Sequence, residues 1–274
     1  MQREATSQEL KDVIEDMAVR FLLNLPDSEK RPERIFHTME EAFWFYQDFY
    51  VANKAGNLKF REMNDYDFYR QLFACCDFLA PYSDNFKAHY DRFRAYQRQI
   101  PRFGAVLLNK DMTKVLTVVT YVSESYDFPK GKVNEGEEDH ECAAREVMEE
   151  TGFDIRGLLR EEEHVKVETQ AGTVVKLYFV GGISEDVQFR THTRYEIKGF
   201  KWLSISHLLH VLADQGNRKY RIIRQFVYPI VKHIACKREG KSLPESDREI
   251  LLSEDEEEET RNLDYYAKAC KMHF

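Results

Sequence analysis

The 274-residue sequence predicts an α+β protein in two folded parts: an all-helical N-terminal domain, then a domain with a β-sheet that ends on a basic helix. Three observations predict it. Apolar residues recur at helical spacing from residue 8 to about 98. The period turns strand-like beyond Ile100-Pro101, and helical spacing returns in RKYRIIRQFVYPIVKHIACKR. The expected boundaries are 1–98 for the helical domain, 99–241 for the sheet domain with its helix, and 242–274 for an acidic, mobile tail.

In order along the chain, QELKDVIEDMAVRFLLNL places Val13, Met17 and Phe21 on one helical line with Ile14 and Ala18 beside it. Leu25-Pro26-Asp27 stops that helix, because a residue before proline avoids the helical region. RIFHTMEEAFWFYQDFYVAN is a second helix, dense in aromatics, and segments near 66–80 and 84–98 continue the pattern. GAVLLN and KVLTVVTYV read as strands flanking a turn at Lys110-Asp111. HVKVET and TVVKLYFVGGI, joined at Ala171-Gly172, and GFKWL read as later strands. In the last helix Ile222, Ile223, Phe226, Val227, Ile230 and Ile234 share one side. Arg218, Arg221, Arg224 and Lys232 share the opposite one, and Pro229 is expected to kink it. There is no internal repeat.

Composition narrows the classes. At 43% hydrophobic and 13% aromatic the chain can bury a core, and no apolar run is long enough to span a bilayer. MQREATSQELKD has no apolar leader region. Five cysteines without a CxxC pair argue against a disulfide framework or a zinc site and for reduced thiols. The net charge of −8 owes six negatives to residues 254–259; without them 40 basic residues face 42 acidic ones, so a basic stripe for nucleic acid remains compatible.

GKVNEGEEDHECAAREVMEETGF (131–153) holds eight carboxylates in twenty-three positions. A helix over 139–151, with Asp139 at its start and Gly152 as its stop, brings Glu146, Glu149 and Glu150 into an arc of about 100°. Three carboxylates on one face stay ionised together only when a cation shares them. Oxygen-only ligands suit a hard divalent ion, Mg2+ or Mn2+, which also binds phosphate oxygens.

Gly131, Glu137, Arg145, Glu146, Val147, Glu149, Glu150, Gly152 and Phe153 fill all nine specified positions of G-x5-E-x7-R-E-U-x-E-E-x-G-U, U being a bulky apolar residue, so the stretch resembles the Nudix box. The resemblance implies an α/β/α sandwich that hydrolyses a nucleoside diphosphate linked to another group, with Glu146, Glu149 and Glu150 as metal ligands. Gly131, Arg145 and Gly152 would be structural, Arg145 holding a neighbouring glutamate by a paired hydrogen bond.

Further stretches resemble, in order, the catalytic subunit family of the eukaryotic mRNA-decapping complex. RFLLNLP and EAFWFYQDF are similar to its regulatory Box A region. IPRFGAVLLN, FPKGKVNEGEED, REVMEETGFD and GISEDVQFRTHTRYEIKGFKW are similar to its Nudix domain, and NRKYRIIRQFVYPIVKHI to its Box B helix. That resemblance implies hydrolysis of the 5′ cap of mRNA to 7-methyl-GDP and 5′-monophosphate RNA. Glu196 and Glu150 would be catalytic, and Glu196 would also join the metal ligands. Trp44, Asp48, Lys130 and Lys132 would hold the cap and its phosphates, with Tyr220 or Arg221 as the Box B partner depending on register. Arg218, Lys219, Arg221, Arg224 and Lys232 would bind RNA. Trp44 and the glutamates fall in different domains, which implies closure around the cap. A decapping activator subunit on the N-terminal domain, a cytoplasmic location including P-bodies, with the nucleus also open, and no membrane partner complete the expectation. The alternatives are a Nudix hydrolase of free nucleoside diphosphate derivatives and a catalytically silent RNA-binding scaffold. Departures from the family are Tyr126-Asp127 ahead of FPKGK, where many members have tryptophan, and the acidic run with LDYYAKACKMHF in place of a long extension.

Overall fold

The computed structural model describes residues 2–53, 55–121, 123–168, 172–193, 196–212 and 217–251. The chain divides into two compact units, Met1–Gln97 and Arg98–Phe274.

The first unit opens with β1 (Arg3–Glu4) and α1 (Ser7–Met17). A reciprocal capping box starts α1: Thr6 Oγ1 accepts from the Glu9 N–H at 3.2 Å, and Glu9 Oε2 from the Thr6 N–H at 2.9 Å. The helix widens into a π turn over Ala18–Leu22, ahead of the stop expected at Pro26. Then come α2 (Pro32–Tyr46), with proline at its first position, a second π turn over Gln47–Val51, and β2 (Leu58–Lys59), which pairs in parallel with β1. α3 (Asp65–Cys75) is capped by Asn64 and followed by a 3-10 stretch over Asp77–Asn85 and by α4 (Phe86–Gln99). The core is aromatic, with Phe36 in ring contact with Tyr69, Phe73, Phe86 and Phe93.

The second unit runs β3 (Arg102–Asn109), β4 (Lys114–Thr120), β5 (Tyr126–Asp127), β6 (Lys130–Lys132), α5 (Asp139–Thr151), β7 (His164–Glu168), β8 (Val174–Ile183), β9 (Ile197–Ser204), α6 (Ile205–Leu212), α7 (Arg221–Arg238) and β10 (Glu249–Leu251). The sheet order is β10-β7-β8-β3-β4-β5, with β6 also paired to β3 and β9 to β4. β3 lies at the centre, parallel to β8, and strand alternation there decides the layers. Ala105 and Leu107 pack with Ala144 and Val147 of α5, while Val106 and Leu108 pack with Ile223, Phe226 and Ile230 of α7. The unit is therefore an α/β/α sandwich.

The turn at Lys110-Asp111 falls where expected, and several later elements differ from expectation. The Lys110-Asp111 turn is closed by Asn109, whose Oδ1 accepts from the Thr113 and Lys114 N–H groups at 2.8 and 3.0 Å. ISHLLHVL forms α6, too short for a clear period in sequence. α7 runs through Pro229, but Arg218–Tyr220 form a separate 3-10 turn before it. The sheet domain also extends past residue 241: Leu243 is buried and β10 pairs in parallel with β7, Glu249 opposite Lys166. Residues 249–251, expected in the tail, thus belong to the sheet, because β7 offers an edge to pair. Residues 252–274 and Ala171 lie outside the described residues. The four described cysteines, Cys75, Cys76, Cys142 and Cys236, are free, and among the described residues no helix is long and apolar enough to cross a membrane.

Candidate active site

α5 carries the acidic face, and each of its ends is fixed locally. At the N-terminus the Asp139 carboxylate accepts from Lys176 Nζ of β8 at 2.6 Å. At the C-terminus Gly152 adopts the left-handed conformation (φ 70°), and its N–H donates to the Met148 carbonyl at 2.8 Å. A Cβ there would also lie 2.7 Å from the Arg190 carbonyl oxygen. The loop that leads to Glu196 is stitched to this end. The Arg190 N–H donates to the Thr151 carbonyl at 2.9 Å, and the His192 N–H to that of Glu149 at 2.8 Å.

Two glycines bring backbone against the glutamates. A Cβ on Gly131 would meet the Glu146 carboxyl carbon at 2.1 Å, so the missing side chain is the space that carboxyl occupies. A Cβ on Gly104 would stand 2.0 Å from the Pro129 carbonyl oxygen, so β3 closes directly on the segment bearing Lys130. Gly104 is absent from the expected site; its signal was a glycine inside a strand pattern, the mark of close backbone approach.

Glu150 is 5% exposed, and its Oε2 accepts from the Lys130 N–H at 3.3 Å. Burial pushes its carboxyl up to about 9; the Lys130 ammonium opposes this, and Glu196, Asp127 and Glu146 add to it. Glu146 is also raised, first by burial, against the pull of Arg145, and further by the charges of Glu149 and Glu196. Glu196 is an exposed residue whose charge reaches both. Glu146, Glu150 and Glu196 are thus brought together electrostatically.

Arg145 gathers the neighbouring acids. Its Nε and Nη2 donate to the two Glu137 oxygens at 2.7 and 2.8 Å, and Nη1 to Glu146 at 2.6 Å and Glu149 at 3.3 Å. Nη2 also donates to the Lys132 carbonyl at 3.1 Å. The guanidinium holds the Glu137 carboxyl down to about 2. Among the described residues no three carboxylate, imidazole or thiol groups close around a cation position; Glu146 and Glu149 turn toward Arg145. The donor chemistry nonetheless fits a hard divalent cation. The donors are all oxygen, and the carboxyls of half-buried Glu146 and buried Glu150 are held above their usual range first by burial and further by the charge of Glu196.

Lys130 pairs with Asp127, and both side chains are largely buried. Trp44, at the end of α2, is 57% exposed rather than core, its ring against Phe43 at 5.4 Å. Asp48 lies half-buried in the following π turn. Tyr220, one of the two expected Box B partners, is packed within the protein. It is 8% exposed, its hydroxyl lies 2.9 Å from His207 Nε2, and its ring packs on Tyr126 at 4.9 Å. The basic face is also smaller than expected. Arg218, Lys219 and Arg221 are exposed and Arg224 is half-buried, but Lys232 is 15% exposed in its side chain and paired with Asp247. Asp247 lies beyond the expected domain boundary, so no helical projection of α7 alone would have found it.

Residues 12–96 match the Dcp2 box A domain family, and residues 98–226 match the NUDIX domain family. The chain is 36% identical to "mRNA-decapping enzyme subunit 2" of Arabidopsis thaliana over 72% of this chain and 52% of that protein. It is 34% identical to "mRNA decapping complex subunit 2" of Schizosaccharomyces pombe over 84% of this chain and 31% of that one. Against "m7GpppN-mRNA hydrolase dcap-2" of Caenorhabditis elegans the values are 30%, 81% and 29%. The chain therefore spans from about a third to about half of these relatives' length. Among solved structures, a C. elegans Ap4A hydrolase complex aligns at 21% identity with a TM-score of 0.37, over 47% of this chain and 93% of that one.

Proposed function

From the premise that this chain belongs to the Nudix hydrolases carrying a Dcp2 box A domain, we propose that it removes the 5′ cap of mRNA, releasing 7-methyl-GDP and 5′-monophosphate RNA. The observation that carries the reading is the joining of a box A unit to a Nudix helix whose half-buried Glu146 and buried Glu150 both feel the charge of Glu196.

Glu146, Glu149, Glu150 and Glu196 are the residues that would hold a divalent cation, Mg2+ or Mn2+. When bound, such an ion neutralises phosphate oxygens and makes water easier to deprotonate. The remaining chemistry belongs to the chain. Glu196, exposed and near the buried acids, accepts the proton of the attacking water. Lys130 and Lys132 offset phosphate charge, the first held in place by Asp127. Trp44, exposed beside the acidic Asp48, takes the cationic methylguanine. Tyr220 would have to leave His207 to stack on a base, whereas Arg221 is already exposed. Arg218, Lys219, Arg221 and Arg224 track the RNA backbone.

The box A unit would receive an activator subunit, in keeping with the subunit names of the relatives. The cytoplasm, including P-bodies, is the expected place of work. The test is incubation of cap-labelled RNA with Mg2+ or Mn2+ and chromatography of the product. Labelled 7-methyl-GDP supports the reading, and intact RNA beside cleaved ADP-ribose or dinucleoside polyphosphate overturns it.

A further inference from the structure

The β4–β5 turn brings an exposed aromatic to the edge of the acidic site. Tyr121, one residue past β4, is 43% exposed. Its N–H donates to the Glu196 carbonyl at 2.9 Å, extending the ladder that pairs Thr120 with Ile197. A large ring thus leaves the backbone immediately beside the residue whose charge reaches Glu146 and Glu150.

The surroundings continue the pattern away from the acids. Lys198 is exposed, pairs with Glu124 across the turn and feels the Tyr121 phenol. Lys219 acts on the same Glu124, so the exposed bases before α7 lie within electrostatic reach of this turn. Beside Glu196 the chain thus carries an aromatic ring and an ammonium, the latter paired with Glu124, and Lys219 reaches the same Glu124. Stacking surface interleaved with positive charge is what a single-stranded polynucleotide recognises, because every base has a flat face and every linkage a negative charge. Arg218 and Lys219 track the RNA in the reading above, and Tyr121 borders the turn whose Glu124 feels Lys219, so its ring falls to the RNA side of the scissile bond.

We propose that Tyr121 is the stacking platform for the first RNA base 3′ of the cap, with Lys198 meeting the phosphate that follows. The proposal rests on the decapping reading and deepens it by assigning a substrate-positioning contact.

The test uses a short capped RNA with 2-aminopurine at its first position, bound by the full chain in EDTA so that no turnover occurs. Stacking quenches the probe. Unaltered protein and Tyr121→Phe are expected to quench it and Tyr121→Ala to lose the quenching. With metal present, Tyr121→Ala should raise KM for capped RNA about tenfold, the worth of one base stack, while kcat changes little and Tyr121→Phe stays near the unaltered value. Equal quenching and equal KM for unaltered protein and Tyr121→Ala overturn the platform and leave decapping standing. Quenching lost in Tyr121→Ala, with no cap released by any variant, upholds the platform and overturns decapping. Absence of capped-RNA binding in EDTA together with absence of turnover when metal is present overturns both.

Discussion

A carboxyl buried as deeply as that of Glu150 loses its charge in the absence of a cation, so its neutral isostere should cost the fold nothing. Glu150→Gln is expected to melt with unaltered protein in EDTA. Mn2+ should raise the melting temperature of the unaltered protein and leave the variant's in place, since a ligand stabilises only the state that binds it. Hydrolysis by Glu196→Gln should fall by about 10²–10⁴, the usual worth of a positioned base. Gly131→Ala is a sharper case, because its Cβ would occupy the position of the Glu146 carboxyl. Expected are a kcat lowered about tenfold or more and a weaker Mn2+-dependent rise in melting temperature. At this scale much of the site was legible: Glu146, Glu149, Glu150, Arg145, Gly131 and Gly152 all follow from one spaced motif. The closed packing of Tyr220 was not legible, since it depends on Tyr126 and His207, which no local spacing connects to it.

Among the elements, α5 and α7 show where periodicity is sufficient and where it fails. α5 spans the expected 139–151 and ends at a residue that must take positive φ. Gly152→Ala should cost about 1–2 kcal/mol in urea unfolding from the left-handed backbone alone, with the clash against the Arg190 carbonyl added. In α7 the apolar side was correctly read from spacing, but the basic side was over-read. Arg218 sits in a separate 3-10 turn and Lys232 is paired with Asp247. Arg218→Ala and Arg221→Ala are each expected to weaken RNA binding and to reduce the slope of log affinity against log salt by about one. Lys232→Ala should leave that slope unchanged and lower the unfolding midpoint, because it strands the mostly buried Asp247. Filter binding across a salt series separates the two outcomes.

For the whole molecule, stability depends on pH through a group that sequence spacing placed only as part of a helix. His233 of α7 is buried, its ring stacked on Phe179 at 4.0 Å, and burial, with Lys237 adding, pushes it down to about 4. Its unfolded value is about 6.5, so between those values the unfolded chain binds the extra proton. The contribution is complete above about pH 7 and is lost as pH falls toward 4, on the order of 3 kcal/mol if the full depression applies. Urea midpoints at pH 7.5 and pH 5 should converge in His233→Phe relative to the unaltered chain; parallel loss in both proteins would exclude His233 as the cause. The sequence alone determined the two-part α+β division, the acidic helix and the candidate metal-holding face, while the sandwich was what the resemblance of its motif implied. Each is written in local periodicity or in one contiguous motif, where neighbouring residues set both backbone and side-chain direction. The tertiary structure alone decided that β10 completes the sheet edge, that Gly104 lets β3 meet Pro129, and that Lys232 and Tyr220 are engaged within the protein while Trp44 is exposed. Those outcomes depend on partners from other elements of the fold, and a side chain's availability is set by whatever the fold packs against it.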